Sequence, residues 1–260
     1  MTHTFAIASQ KGGVGKTTTA VTLGHGLALS GVKTLIVDAD PQGHVARMLN
    51  TPKRPGLRQW FYDEQPLASC VVNTRPNLDI LPGDKTTEKV LGKIRDESYG
   101  EQLFADQLIN QTTAYQVVII DLAPSLNNLQ VAAILAADYA IIPTRLRYTD
   151  LDGVQEVIRT IAEVARHGHT LTNFYILPTF YDRTTTETHA RFRELVAQHA
   201  SRIWPPISHD TKLSEAPGHG QTIWEYAPKT NGIVGFANAA GKRIGGYACV
   251  VDQIQTLIGM

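Results

Sequence analysis

Only two cysteines occur in the 260 residues, Cys70 and Cys249, far apart and in no C-x-x-C spacing. That excludes a disulfide scaffold, a zinc ribbon and a cysteine-held iron–sulfur cluster within one chain. No run of about 18 apolar residues is present, so no segment is expected to span a membrane. The opening MTHTFAIAS has no basic stretch followed by a long apolar one, so no signal peptide is expected, and the cytoplasm is the expected compartment. Neither sign of charge is in excess: 24 Lys and Arg stand against 24 Asp and Glu. Such a balance provides no global field toward nucleic acid, so any DNA contact needs a local patch. Internal repeats, low-complexity tracts and linkers are also missing. With 43% hydrophobic residues the composition is that of an ordinary globular chain, and residues 1–260 are expected to form one domain.

What is present is an alternation. The runs TFAIAS (4–9), KTLIVD (33–38), LDILPG (78–83), VVIIDL (117–122), YAIIPT (139–144) and NFYILPTF (173–180) are short and apolar, and a helical-looking stretch follows each. That pattern predicts an α/β fold: a mostly parallel twisted sheet with helices on both faces. TTTAVTLGHGLALSG reads as a helix that stops at Gly31. The proline-rich stretch 51–77 reads as irregular, and 232–258 as mostly helical with a break at Gly245 and Gly246.

Between the first strand and the first helix lies SQKGGVGKTTTAV, residues 9–21. A glycine-rich turn in that context is a phosphate-binding loop (P-loop). Gly12, Gly13 and Gly15, with Val14 between them, let backbone N–H groups converge on phosphate oxygens, and the helix N-terminus adds partial positive charge. Lys16 is placed for the β- and γ-phosphates, Thr17 for Mg²⁺ and Thr18 for an earlier phosphate. Two features depart from G-x-x-x-x-G-K-[ST]. Gln10 holds the place of the first glycine, and a second lysine, Lys11, opens the loop. One use for Lys11 is to reach a second nucleotide across a face-to-face dimer, as an arginine finger does; the plainer one is a solvated loop-tip lysine.

Carboxylates follow the strands. LIVDADPQG puts Asp38 and Asp40 just past the end of an apolar run, where open α/β sheets bind ligands. Both suit the positioning of an attacking water or of the metal's water shell, and their roles stay open at this level. YQVVIIDLAPSL ends an apolar strand in Asp121, which suits Mg²⁺ held through water.

KGGVGKTT resembles the deviant Walker A signature of the ParA/MinD superfamily of dimerising ATPases. The resemblance implies ATP and Mg²⁺ as ligands, slow ATP hydrolysis without a partner, and a signature lysine, here Lys11, that crosses the dimer to the partner's ATP. DADPQG is similar to that family's switch I motif, whose second aspartate, here Asp40, is credited with the attacking water. IIDLAPS is similar to switch II, with Ala123 in place of a proline. TKLSEAPGHGQTIWEYAPKTNG resembles a segment that separates ParA proteins from MinD and from the nitrogenase iron protein. The first strand lies almost at the start of the sequence, with no helix-turn-helix before it, which resembles the small ParA proteins; that likeness implies a protein that coats nucleoid DNA without reading sequence. Such a protein answers to a ParB-like or other adaptor and positions a plasmid, a chromosome origin or an organelle such as the carboxysome. The family's DNA-contacting positions map onto Arg183 and Lys212, and more loosely onto Arg191, Arg193, Arg202, Lys242 and Arg243. Residues 151–260 carry ten basic and ten acidic side chains, so no excess marks a patch there. The alternative is a MinD-like regulator on a membrane surface. The tail GYACVVDQIQTLIGM, without Lys or Arg, argues against that and against stable membrane binding.

Overall fold

The computed structural model describes residues 1–125, 128–166, 171–237 and 241–260. The six apolar runs form β1 (His3–Ile7), β2 (Thr34–Ala39), β4 (Leu78–Leu81), β5 (Val117–Leu122), β6 (Tyr139–Arg145) and β7 (Asn173–Thr179). Neighbours among these six pair in parallel. A further strand, β3 (Val72–Arg75), pairs antiparallel with β4 at the edge. The sheet order is β3-β4-β2-β5-β1-β6-β7. The stretch 51–77 is therefore not wholly irregular: it holds β3 and a widened helical turn at Arg58–Tyr62.

Each central strand is covered on both faces, which is why its apolar run is continuous rather than alternating. Every residue of β2 and β5 is buried. Phe5, Ile7, Ile36, Ile119 and Ile141 face a layer built on α1 (Lys16–Leu29), which also carries the short helix α2 (His44–Met48). Ala6, Ala8, Leu35, Val37, Val118 and Ile120 face the opposite layer. There the chain first makes the single turn α3 (Leu67–Cys70), then α4 (Thr87–Asp96), α5 (Gly100–Gln111), α6 (Asn128–Ala136), α7 (Leu151–Arg166) and α8 (Thr186–His199). Gly24, inside α1, has a packing reason: a Cβ there would sit 2.6 Å from Ile36 Cδ1, so glycine lets the helix lie directly on β2.

Three single-turn helices, α9 (Lys212–Glu215), α10 (Ile223–Tyr226) and α11 (Asn231–Val234), lead to α12 (Gly246–Leu257), which packs on α1. The expected break at Gly245 and Gly246 is real, with φ of 76° and 79°. A Cβ on Gly246 would come within 2.3 Å of the Ile233 carbonyl, so only glycine fits. The helical reading of the residues before it is corrected, because Phe236–Ala237 (β8) and Arg243–Ile244 (β9) pair as a two-stranded hairpin. Among the described residues, no helix is long and apolar enough to cross a membrane.

Candidate nucleotide site

Three strands end side by side at one edge of the sheet, with Ile7 of β1 in register with Asp121 of β5, and Asp121 with Asp38 of β2. The phosphate loop leaves β1 there and turns into α1 at Lys16, through left-handed backbone at Gly13 (φ 71°) and Gly15 (φ 91°). Parallel-sheet topology thus brings the loop and both aspartate segments to one place. A cleft of about 390 Å³ lies between them, lined by Gly12, Gly13, Gly15, Lys16, Thr17, Thr18, Asp40, Gln42, His44, Pro124 and Phe180.

Lys16 is 7% exposed and donates from Nζ to the Lys11 carbonyl at 3.1 Å. Burial pulls its pKa down, while Asp121 and Asp40 push it up. Asp121 is fully buried, and neither carboxylate oxygen has a hydrogen-bond partner of good geometry. Burial raises its pKa to about 7, against the lowering pull of the Thr17 hydroxyl and the Lys16 ammonium. An orphaned carboxylate beside a hydroxyl in the first helical turn fits a hydrated Mg²⁺, whose waters would supply the missing partners.

The structure separates the two switch aspartates. Asp38 lies within β2 rather than past its end, and its oxygens accept the backbone N–H groups of Asp40 (3.2 Å) and Val45 (3.1 Å). Its pKa stands well above the ordinary carboxylate range because it is buried and sits beside Asp121. Asp38 is thereby a tether for the loop that carries Asp40. Asp40 lines the cleft, with one oxygen accepting the Gln42 N–H at 2.8 Å.

Lys11 points elsewhere. Its side chain runs along the start of α7, where a Cβ on Gly153 would meet Lys11 Cγ at 3.1 Å. Of the basic candidates, Arg243 lies on the β8–β9 hairpin and Arg183 packs against it. The Arg183 guanidinium sits 4.7 Å from the Phe236 ring centre, and Arg243 Nη1 donates to the Gly235 carbonyl at 3.0 Å. Lys242 and Arg193 are exposed. Arg191 pairs with Glu194 at 2.5 Å, and Arg202 covers the Phe174 ring at 4.0 Å. Lys212 stands apart on α9, paired with Glu215 at 2.7 Å.

Several site residues escaped the sequence reading. The Thr179 hydroxyl lies 2.8 Å from the Val14 carbonyl and 3.1 Å from the Thr144 carbonyl, its one proton shared between these two acceptors, and so ties the loop to β6 and β7. The available signal was the shared ending of the two strands, IIPT and ILPT. Tyr247 of α12 meets the Thr19 hydroxyl at 2.8 Å beneath the loop. A second pocket of about 110 Å³, lined by Thr18, Thr179, Phe180, Asp210, Thr211 and Tyr247 among others, adjoins the cleft.

Fold and site together define a P-loop nucleotide-binding α/β protein. A family model described as an AAA domain matches residues 2–174. The chromosome partitioning protein ParA of Caulobacter vibrioides (strain NA1000 / CB15N) is 34% identical over 244 residues, covering 90% of this chain and 91% of that protein. The apo McdA structure from Cyanothece has a TM-score of 0.81 at 23% identity, covering 88% of this chain and 94% of that one, a likeness of fold. Cobyrinic acid a,c-diamide synthase of Mycobacterium smegmatis, with bound ADP and magnesium, has a TM-score of 0.74 at 27% identity over 85% of this chain and 93% of that one. The chain belongs to the ParA-type partition ATPases of the ParA/MinD class of P-loop ATPases. It is an ATPase.

Proposed function

We propose that the 260 residues act as one Mg-dependent ATPase domain that dimerises face to face on ATP. In that form the protein binds double-stranded DNA without reading sequence, on the nucleoid in the cytoplasm. A ParB-like or other adaptor stimulates hydrolysis and releases it, so that a cargo (a plasmid, a chromosome origin or an organelle) is moved or held. The observation that carries this reading is the division of labour between the two lysines. Lys16 is buried among the aspartates, whereas Lys11 lies along Gly153 and does not line the cleft. A cation so placed is free to serve a second nucleotide.

Within one protomer, the loop amides of Gly12, Gly13, Val14 and Gly15, with Lys16, Thr17 and Thr18, bind the phosphates. The adjoining pocket beside Tyr247 takes the base. A bound Mg²⁺, held by Thr17 and through water by Asp121, would offset phosphate charge. Asp40 orients the attacking water from the cleft wall, and Asp38 keeps Asp40 in place rather than touching the metal. DNA contact rests on Arg183 and Arg243 around Phe236, with Arg191, Arg193 and Lys242 nearby in sequence, and gives salt-sensitive affinity. Against a MinD-like membrane role, α12 turns Tyr247, Val250 and Ile254 into the core against α1.

The test is co-sedimentation of the protein with DNA and with anionic liposomes, with and without ATP. ATP-dependent recovery on DNA alone is expected. Recovery on liposomes and not on DNA would replace this reading with the membrane one.

A further inference from the structure

The nucleotide cleft has an arginine beside it that no motif announces. Arg145 ends β6, and a Cβ built on Gly13 would lie 3.4 Å from its Nη2. The guanidinium also stacks 4.1 Å from the ring centre of Phe180. Its Nε is closed off from solvent without a hydrogen-bond partner, and no ion pair among the described residues includes it. Asp182 and Glu187 line the same cavity of about 460 Å³. Asp182, however, is taken by the N–H and hydroxyl of Thr184, at 2.8 and 2.7 Å. A half-buried guanidinium held in no ion pair keeps its fork open, and that fork geometry matches phosphate oxygens.

Phe180 holds that guanidinium. Its backbone is left-handed (φ 52°), a conformation an aromatic residue adopts only where its surroundings impose it. The ring is 40% exposed and lines both the cleft and the adjoining pocket, and a Cβ on Gly15 would sit 3.7 Å from it. Gly12 and Gly13 line the cleft but not that pocket. A nucleotide with its base in the pocket therefore points its last phosphate toward Gly13; Arg145 lines the neighbouring cavity rather than the cleft itself, and its guanidinium comes against that glycine.

We propose that Arg145 contacts the terminal phosphate of the nucleotide on its own loop, so that the site distinguishes triphosphate from diphosphate, and that Phe180 is its positioning residue. The proposal rests on the nucleotide reading above.

The experiment titrates ADP and a non-hydrolysable ATP analogue, each with Mg²⁺, into dilute wild-type, Arg145→Ala, Phe180→Ala, Phe180→Tyr and Lys16→Ala proteins. Arg145→Ala should weaken the analogue about 10- to 150-fold, the worth of one charge-assisted hydrogen bond, and change ADP less than about threefold. Unaltered ADP binding also reports an intact fold. Phe180→Ala should weaken the analogue more than ADP, with some loss of both because its ring also lines the base pocket, and Phe180→Tyr, which keeps the stack, should keep the wild-type ratio of the two affinities. Equal loss of both nucleotides, or loss of neither, overturns the proposal. So does a defect seen only at concentrations where the protein is dimeric, because Arg145 would then act on the partner's nucleotide. A Lys16→Ala protein that binds both ligands normally defeats the phosphate-loop reading itself and takes this proposal with it.

Discussion

Asp38 and Asp121 stand in register on neighbouring strands, both fully buried, and each carboxyl titrates above the ordinary range. Desolvation is the leading cause for both, and Asp121 adds to it at Asp38. The site thus holds carboxylates that are unfavourable until cationic ligands arrive. Such strain at an active site trades stability for chemistry.

A stability prediction follows from Asp121. Its folded pKa of about 7 lies above the value expected when unfolded, so its contribution to stability is fully present in acid. That contribution is lost as pH rises toward 7, where the deficit reaches a few kcal/mol at about 1.4 kcal/mol per pKa unit. Asp121→Asn removes the titration. The nucleotide-free variant should melt above the wild type at pH 8, and the two should converge near pH 4. Calorimetric melts across pH check this; a constant gap would show that the carboxyl does not titrate in that window. Mg²⁺ affinity of the wild type should fall toward tenfold per unit as pH drops below 7, because the metal needs the ionised form.

The phosphate loop makes the next prediction. Lys16→Ala removes the buried counter-charge of the phosphates and should abolish ATP binding by calorimetry. Near-normal affinity would sink the assignment.

Asp40 and Asp38 should separate. Asp40→Ala should bind ATP, hydrolyse almost none and accumulate as dimer, read by light scattering and phosphate release. Asp38→Ala leaves the N–H groups of Asp40 and Val45 without their acceptor. It should lose about 1–3 kcal/mol of stability in denaturant melts as well as turnover. Identical behaviour of the two variants would mean that Asp38 is no tether.

These roles were legible in unequal measure. The loop, the six parallel strands and the place of Asp121 near the end of β5 could be read because each is a local pattern: fixed glycine spacing, a continuous apolar run, a carboxylate at a strand end. The split between Asp38 and Asp40 could not, since it depends on which backbone N–H groups fold back onto β2. Strand β3, with the sequence VNTR, has one apolar residue, and its strand character comes from pairing with β4. The β8–β9 hairpin has two residues per strand, too few to show any period. Arg145 and Phe180 lie 35 residues apart by number and meet only because β6 and β7 are neighbours.

DNA affinity should follow pairing rather than charge count. Lys212 is already matched by Glu215, which raises its pKa, whereas Arg183 rests on Phe236. Arg183→Ala should weaken ATP-dependent binding to a short duplex and lower the salt slope by about one. Lys212→Ala should have the smaller effect, measured by fluorescence anisotropy over a salt series. The reverse order would move the DNA surface to α9.

Lys11 carries the last prediction. Its side chain lies along Gly153, while its carbonyl accepts the Lys16 ammonium, so removing the side chain leaves the backbone role intact. Lys11→Ala should therefore bind ATP as a monomer. If the lysine serves the partner's nucleotide, losing one charge-assisted contact weakens the interface by roughly 1.5–3 kcal/mol, about 10- to 150-fold, and two copies per dimer compound it. Dimerisation, DNA binding and adaptor-stimulated hydrolysis should fail together. Lys11→Arg should be impaired as well, because a planar fork does not replace a compact ammonium. The decisive measurement mixes Lys11→Ala with Lys16→Ala protein. In the mixed dimer the Lys16→Ala subunit can lend its intact Lys11 to the ATP held by the other, and partial recovery of phosphate release is expected. A Lys11→Ala protein that dimerises and hydrolyses like the wild type would reduce Lys11 to a solvated loop residue.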